Sequence, residues 1–140
     1  MILITLPLYY NATKSKKILY SLNNFLAPLG SQKAFNMFYQ FKAKKHLMKI
    51  VKKFAEDMQP ITEYPVQLEL TIFRESNRQM DVGNVSIAEK YTTDSLVQSG
   101  ILEEDNYNFI NQVTLKMHPE KSPDASRIEY KIIEVGDNEV

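Results

Sequence analysis

Cysteine is absent from this sequence of 140 residues. Its absence excludes disulfides, zinc ribbons and thiol chemistry. No apolar run approaches the ~20 residues that a membrane-spanning helix requires. The apolar opening over residues 1–8 lacks the basic start and the small-residue cleavage site of a signal peptide, and it predicts a first strand instead. We therefore expect a cytoplasmic protein with no membrane segment.

The common catalytic motifs are also missing. The sequence contains no Walker A loop, no HExxH, no GxSxG and no GxGxxG. Its two histidines, His46 and His118, are far apart in the sequence, which favours structural or solvated roles for both. The sequence therefore offers no motif of a P-loop nucleotide hydrolase, a zinc protease, a serine hydrolase or a dinucleotide-dependent enzyme.

Charge is balanced overall but is distributed unevenly along the chain. Residues 1–64 hold ten Lys or Arg and three Asp or Glu, whereas residues 65–140 hold seven and fourteen. The two halves thus carry +7 and −7. This asymmetry suggests a basic face for a polyanion and an acidic region for cations. The alternative is that both sets of charges are merely solvated.

Two helices are predicted. Ser31 is a suitable N-cap for a long helix over 33–57. Its apolar residues at helical spacing should face the core: Leu47, Ile50, Val51, Phe54 and Met58. Another stripe of the same helix, which is either a solvated face or a DNA contact, consists of Lys42, Lys45, Lys49, Lys52 and Lys53.

The second helix should begin at Ile87, because Ser86 and Glu89 have the spacing of a capping box. It should end near Gly100, which suits the left-handed position after a helix.

Alternating apolar residues predict the strands. The main strands cover 2–8, 66–72, 109–117 and 128–132, and a short strand within 18–21 could pair in the long connection over 11–30. This order predicts an α+β fold in which a mixed β-sheet carries one long and one short helix. We expect a single domain over 1–135 and a polar tail over 136–140.

The acidic stretch over 80–106 holds the candidate chemistry. Lys90 and Asp94, at i,i+4, share one helical face. Asp81 follows one strand and Asp105 precedes another, so their carboxylates can meet if the two strands are neighbours. One or two carboxylates suffice to hold Mg²⁺, which keeps several waters, and a nearby lysine stabilises a phosphoryl transition state. The alternative is an ordinary charged surface in which Asp94 simply pairs with Lys90.

This stretch resembles RusA-like endodeoxyribonucleases, the Holliday-junction resolvases common in phages and prophages. The family joins an Asp-x-Asp-Asn motif to a Lys-x-x-x-Asp helix and then to a Gly-hydrophobic-hydrophobic-acidic-Asp-Asp turn. The matching segments here are 81–84 (DVGN), 90–96 (KYTTDSL) and 100–106 (GILEEDN). The similarity is good over 66–118, weak over 20–55 and absent beyond 120.

The resemblance implies a homodimer that binds branched DNA at a four-way junction and cuts two strands symmetrically with Mg²⁺ or Mn²⁺. Catalytic roles would fall to Asp81, Lys90 and Asp105, and metal ligation to Asp81, Asp105 and Glu104. The DNA contacts implied by the resemblance and by the basic segments would be Lys14, Lys16, Lys17, Asn23, Asn24, Lys42, Lys45, Lys49 and Asn84.

Two positions depart from the family pattern. Gly83 replaces the second Asp of the first motif, so the site has one carboxylate fewer unless Glu75, Asp94 or Glu104 takes its place. Lys90 lies three residues further from the Asp motif than in the bacterial pattern of the family. The capping box would explain this difference, because it places the additional residues in the turn before the helix. The departure at Gly83 leaves open an impaired protein that binds branched DNA or a protein partner without cutting. A third alternative is an interaction protein with no nucleic-acid role.

Overall fold

A computed structural model of the protein describes residues 1–11, 17–19, 32–77 and 82–137. These residues form a main sheet with two helices and a separate short hairpin. In chain order the elements are β1 (Ile2–Leu6), β2 (Tyr9–Asn11), β3 (Lys17–Leu19), α1 (Gln32–Ala55), β4 (Val66–Phe73), a 3₁₀ turn (Val82–Val85), α2 (Ser86–Gln98), β5 (Ile110–Met117) and β6 (Arg127–Ile133).

The main sheet has the strand order β1-β6-β4-β5. β4 and β5 are parallel, whereas β6 is antiparallel to both of its neighbours. The predicted α+β class with a mixed sheet is therefore confirmed. A parallel pair requires a crossover connection, and α2 lies in that connection. β2 and β3 form a separate two-stranded hairpin, which overlaps the short strand predicted over 18–21.

The core lies on one face of this sheet. Along β4, alternate residues from Val66 to Ile72 are buried, and along β6 Ile128, Tyr130 and Ile132 are fully buried. Strands of period two place every second side chain on the same face, so the predictions for these two strands are confirmed. The intervening residues form the other face, where Lys116 of β5 pairs with Glu69 of β4 at 2.6 Å.

α1 packs on this core through side chains that are spaced four residues apart. Ala43, Leu47 and Val51 are fully buried, and the lysine stripe opposite them is exposed. The prediction for Phe54 is wrong, because its side chain is 40% exposed. Phe54 belongs to the final turn of α1, where its neighbour Ala55 packs against the core instead. The predicted N-cap, Ser31, lies outside the described residues.

α2 begins one residue earlier than predicted. Its N-cap is Val85, which has no polar side chain, so the predicted capping box at Ser86 is wrong. The 3₁₀ turn Val82–Val85 leads directly into α2, and Val85 has helical dihedral angles (φ −82°, ψ −2°), so the backbone before Ser86 is already helical and not extended as at a capping box. The C-terminus agrees with the prediction: Gly100 follows the C-cap Ser99 and has a φ of +78°.

The two helices lie side by side on the sheet. The Ser95 hydroxyl of α2 donates a hydrogen bond to the Met48 carbonyl of α1 at 3.3 Å. Neither helix covers the edge strand β5 completely, because Val113 is 47% exposed although it pairs in register with the buried Leu68. An open space therefore remains beside α2, above β5. No helix in the described part of the chain is both long and apolar enough to cross a membrane.

Candidate functional site

A cleft of about 280 Å³ lies between α2 and the first half of β5. It is lined by Glu89, Lys90, Thr93, Asp94, Asp105, Ile110 and Val113. Three candidate residues from the acidic stretch, Lys90, Asp94 and Asp105, thus meet at one place. Three carboxyl groups and one ammonium group give the cleft an excess of acidic groups, which favours a cation or a cation-bound phosphate.

The α2 side of the cleft is built from two i,i+4 pairs. Glu89 with Thr93 and Lys90 with Asp94 occupy adjacent rows of the same helical face. Lys90 is exposed, whereas Thr93 is almost fully buried at the base of the cleft. The face therefore presents charged groups at its rim and a hydroxyl at its floor.

Asp105 reaches the cleft from the loop between α2 and β5. Asn106 organises this loop: its carbonyl accepts hydrogen bonds from the amides of Phe109 and Ile110, and its side chain accepts one from the amide of Asn108. A side-chain acceptor two residues before the donor is typical of an Asx turn. The turn leads directly into β5 and places the neighbouring Asp105 beside α2.

Glu89 is a partly buried carboxyl group of the cleft. Burial raises its pKa above the ordinary glutamate value, and the nearby carboxylates of Asp94 and Asp105 act in the same direction. The Thr93 hydroxyl and Lys90 oppose this shift. Carboxyl groups with pKa values raised by burial are common in functional clefts.

The sequence predicts Glu89 as a helix cap first and as a metal ligand second; the cap role is wrong, and Glu89 lines the cleft instead. The hydroxyl of Thr93 donates a hydrogen bond to Glu89 Oε1 at 2.8 Å and lies 2.8 Å from the Tyr130 hydroxyl. The i,i+4 spacing of Glu89 and Thr93, one position before Lys90 and Asp94, is the sequence signal for this arrangement.

Several predicted site residues lie outside the described residues, namely Asp81, Lys14, Lys16, Asn23 and Asn24. For Lys17 and Asn84 the structure describes the backbone alone. The convergence of Asp81 with Asp105 therefore stays a prediction. Val82, the residue after Asp81, begins the 3₁₀ turn that contacts β5.

The three candidate substitutes for the carboxylate missing at Gly83 have different surroundings. Asp94 lines the cleft, whereas Glu104 is exposed and is absent from the lining residues. Glu75 accepts a hydrogen bond from the Tyr9 hydroxyl and does not line the cleft either. Gly83 itself is exposed, and a Cβ atom at this position would meet no atom within 4 Å.

The cleft residues suit a hard cation. Mg²⁺ binds oxygen ligands, keeps several waters and needs only one or two protein carboxylates, and Asp94 and Asp105 offer such groups. Among residues 1–11, 17–19, 32–77 and 82–137, no group of three His, Cys, Asp or Glu side chains is close enough to hold a metal ion. Any metal site here therefore depends on few protein ligands or includes Asp81.

A second surface with the chemistry of a binding site follows α1. A groove of about 710 Å³ is lined by Lys45, Met48, Lys49, Lys52, Lys53 and Glu56. The Lys45 ammonium group lies 4.6 Å from the centre of the Phe41 ring. Four lysines and one glutamate give this groove an excess of positive charge, as phosphate binding requires.

Comparison with models of known protein families finds no match, and a search of curated proteins finds none either. The function is therefore inferred from the residues of this chain and from the motif resemblance.

Proposed function

We propose that the protein is a metal-dependent endodeoxyribonuclease of the RusA type that cuts four-way DNA junctions by phosphodiester hydrolysis. The observation that carries this proposal is the meeting of Lys90, Asp94 and Asp105 in one cleft. Two consecutive parts of the resolvase-like stretch contribute to the cleft, the helix and the loop that follows it, and both carry residues of the matched segments.

Two cleft residues, Asp105 and Lys90, have defined tasks in this reaction. Asp105, together with Asp81, would hold Mg²⁺ or Mn²⁺, and Glu104 is a further proposed ligand. Such an ion neutralises the scissile phosphate and activates a water molecule. Lys90 is exposed at the rim, where its ammonium group can contact the phosphate as negative charge develops on it.

The lysine face of α1 would bind the DNA backbone. Lys42, Lys45 and Lys49 are exposed, and the last two line the groove along α1. Contacts from lysines to phosphates release counterions and dominate the affinity of such complexes. A homodimer is proposed because a two-fold junction suits two identical active sites, and the site of action would be the cytoplasm of a bacterial host. The proposed DNA surface is completed by Lys14, Lys16, Lys17, Asn23, Asn24 and Asn84.

Gly83 favours a second candidate function. A protein with this cleft but one carboxylate fewer would bind branched DNA, or a protein partner, without efficient cutting. If it binds branched DNA, the second function shares the DNA surface of the nuclease and differs from it in the chemistry of the cleft alone.

Incubation with a labelled four-way junction and with a linear duplex, with Mg²⁺ and Mn²⁺ in turn, tests the proposal. Cutting of the junction in either metal supports the nuclease. Binding of the junction without cutting in both metals selects the second function. Failure to bind either DNA, or binding that does not weaken with added salt, contradicts the nuclease and the DNA-binding form of the second function, and it favours a protein partner instead.

A further inference from the structure

A chain of hydroxyl groups connects the centre of the sheet to the cleft. Tyr130 is fully buried on β6, between Ile4 of β1 and Leu70 of β4 in the strand register. Its hydroxyl lies 2.8 Å from the Thr93 hydroxyl, which in turn is 2.8 Å from Glu89 Oε1. Polar groups buried this deeply need hydrogen-bond partners, and each member of this chain provides one for the next.

The direction of the hydrogen bonds follows from the number of protons. Thr93 has a single hydroxyl proton, which it donates to the carboxylate of Glu89. The Tyr130 hydroxyl must therefore donate to Thr93 Oγ1. Glu89 Oε1 accepts a hydrogen bond from this chain, whereas Oε2 has no hydrogen-bond partner among the described residues and can contact a partner in the cleft.

The hydrogen-bond chain begins at Tyr130, and this makes the position of the Glu89 carboxyl group well defined. Tyr130 is fully buried and belongs to a strand that is paired on both sides, so the backbone that carries its hydroxyl is held by two neighbouring strands. A functional group that is oriented by such supporting residues keeps its geometry better than a free side chain does. An ordinary surface glutamate would gain nothing from a buried tyrosine that orients it.

We propose that Glu89 is a further functional carboxylate of the cleft and that Thr93 and Tyr130 are the residues that position it. In this role, Glu89 contacts the hydrated cation and supplies the negative charge that position 83 lacks. The inference rests on the proposed function, because it assigns Glu89 to the same metal-dependent site. It extends that site to residues outside the resolvase motifs.

The test is a Mn²⁺ titration of the folded protein, followed by paramagnetic broadening of the backbone amide signals of α2 and of the loop that carries Asp105. Thr93→Val and Tyr130→Phe remove the two hydroxyls, and both should weaken Mn²⁺ binding about 10- to 100-fold, as is typical of residues that orient metal ligands. Thr93→Ser retains the hydroxyl and should restore binding. Glu89→Gln should weaken binding as well, and adding Thr93→Val to it should have little further effect.

Thr92→Val is the matched control. Thr92 is the neighbouring residue on α2, is fully buried, and its hydroxyl has no hydrogen-bond partner in the described part of the chain. This variant should bind Mn²⁺ as the wild type does. If Thr93→Val and Tyr130→Phe also bind Mn²⁺ with wild-type affinity, the positioning role is wrong, whereas the nuclease proposal survives. If Mn²⁺ broadens no backbone amide signal of the wild-type cleft, the proposed metal site is wrong, and so is the role of Glu89 in it.

Discussion

The hydroxyl groups of Thr93 and Tyr130 lie 2.8 Å apart, although the two residues are 37 positions apart in the chain. This contact joins the polar face of α2 to the centre of the sheet. It orients the face of α2 that carries Thr93 towards the sheet, and Glu89, Lys90 and Asp94 on the same side of α2 line the cleft. The packing of the core and the geometry of the candidate site are therefore coupled through two hydroxyl groups.

The first prediction compares two adjacent threonines. Thr93→Val should lower the free energy of unfolding by about 1–3 kcal/mol, because it leaves the buried Tyr130 hydroxyl without its partner. Thr92→Val should leave stability unchanged or raise it by about 1 kcal/mol, because it removes a buried hydroxyl that has no partner among the described residues. Urea denaturation measures both values. Equal destabilisation of the two variants would show that the hydroxyl chain contributes nothing specific.

The second prediction concerns pH. Burial raises the pKa of Glu89 in the folded protein, so the folded state binds this proton more tightly than the unfolded state does. The contribution of Glu89 to stability is therefore greatest below its ordinary pKa of about 4.3 and disappears as the pH rises through the raised value.

Glu89→Gln removes this titration and keeps an acceptor for Thr93. The variant should become more stable relative to the wild type as the pH rises from about 4 towards neutrality. Urea denaturation at a series of pH values checks this trend. A stability difference that is constant across the series would contradict the pKa shift.

Much of the fold follows from local patterns in the sequence. The alternation over 66–72 and 128–132 reflects burial of one sheet face, and Gly100 ends α2 because it adopts a positive φ. Local patterns fail where tertiary packing decides. Ser86 and Glu89 have the spacing of a cap, but the 3₁₀ turn that ends at Val85 runs directly into the helix at Ser86.

Part of the candidate site can also be predicted from local patterns in the sequence. The shared face of Lys90 and Asp94 follows from helical periodicity, and the strands that flank the acidic stretch, β4 and β5, are neighbours as its chemistry requires. Their parallel direction is not among the predictions, although a helix between two strands is typical of a parallel pair. It separates the end of β4 from the start of β5 by about 23 Å. The loop organised by Asn106 brings Asp105 to the middle of α2.

The third prediction restores the acidic residue of the resolvase motif. Gly83→Asp should fold normally, because the position is exposed, a Cβ atom meets nothing within 4 Å, and its φ is not among the positive values. If position 83 adjoins the metal site, the new carboxylate should tighten Mg²⁺ binding and accelerate cutting. Gly83→Asn has the same size without the charge and serves as the control. Identical behaviour of the two variants would place position 83 away from the metal.

The fourth prediction concerns the basic groove. Replacing both Lys45 and Lys49 by Gln should weaken junction binding and make its dependence on salt shallower, by about 0.9 in the logarithmic slope for each phosphate that is no longer neutralised. Gel-shift titrations at several salt concentrations measure this slope. Lys121→Gln, at an exposed lysine in the β5–β6 connection, is the control. An unchanged slope in the double variant would show that the DNA-binding surface does not lie on α1.

The catalytic role of the cleft can be tested by cutting of a labelled four-way junction by the wild type, Asp105→Asn and Asp124→Asn, in Mg²⁺ and in Mn²⁺. Asp105 lines the cleft, whereas Asp124 is exposed in the β5–β6 connection and does not line it. We expect the wild type and Asp124→Asn to cut the junction at equal rates and Asp105→Asn to bind it without cutting. Cutting by Asp105→Asn at the wild-type rate would contradict the assignment of the cleft as the catalytic site.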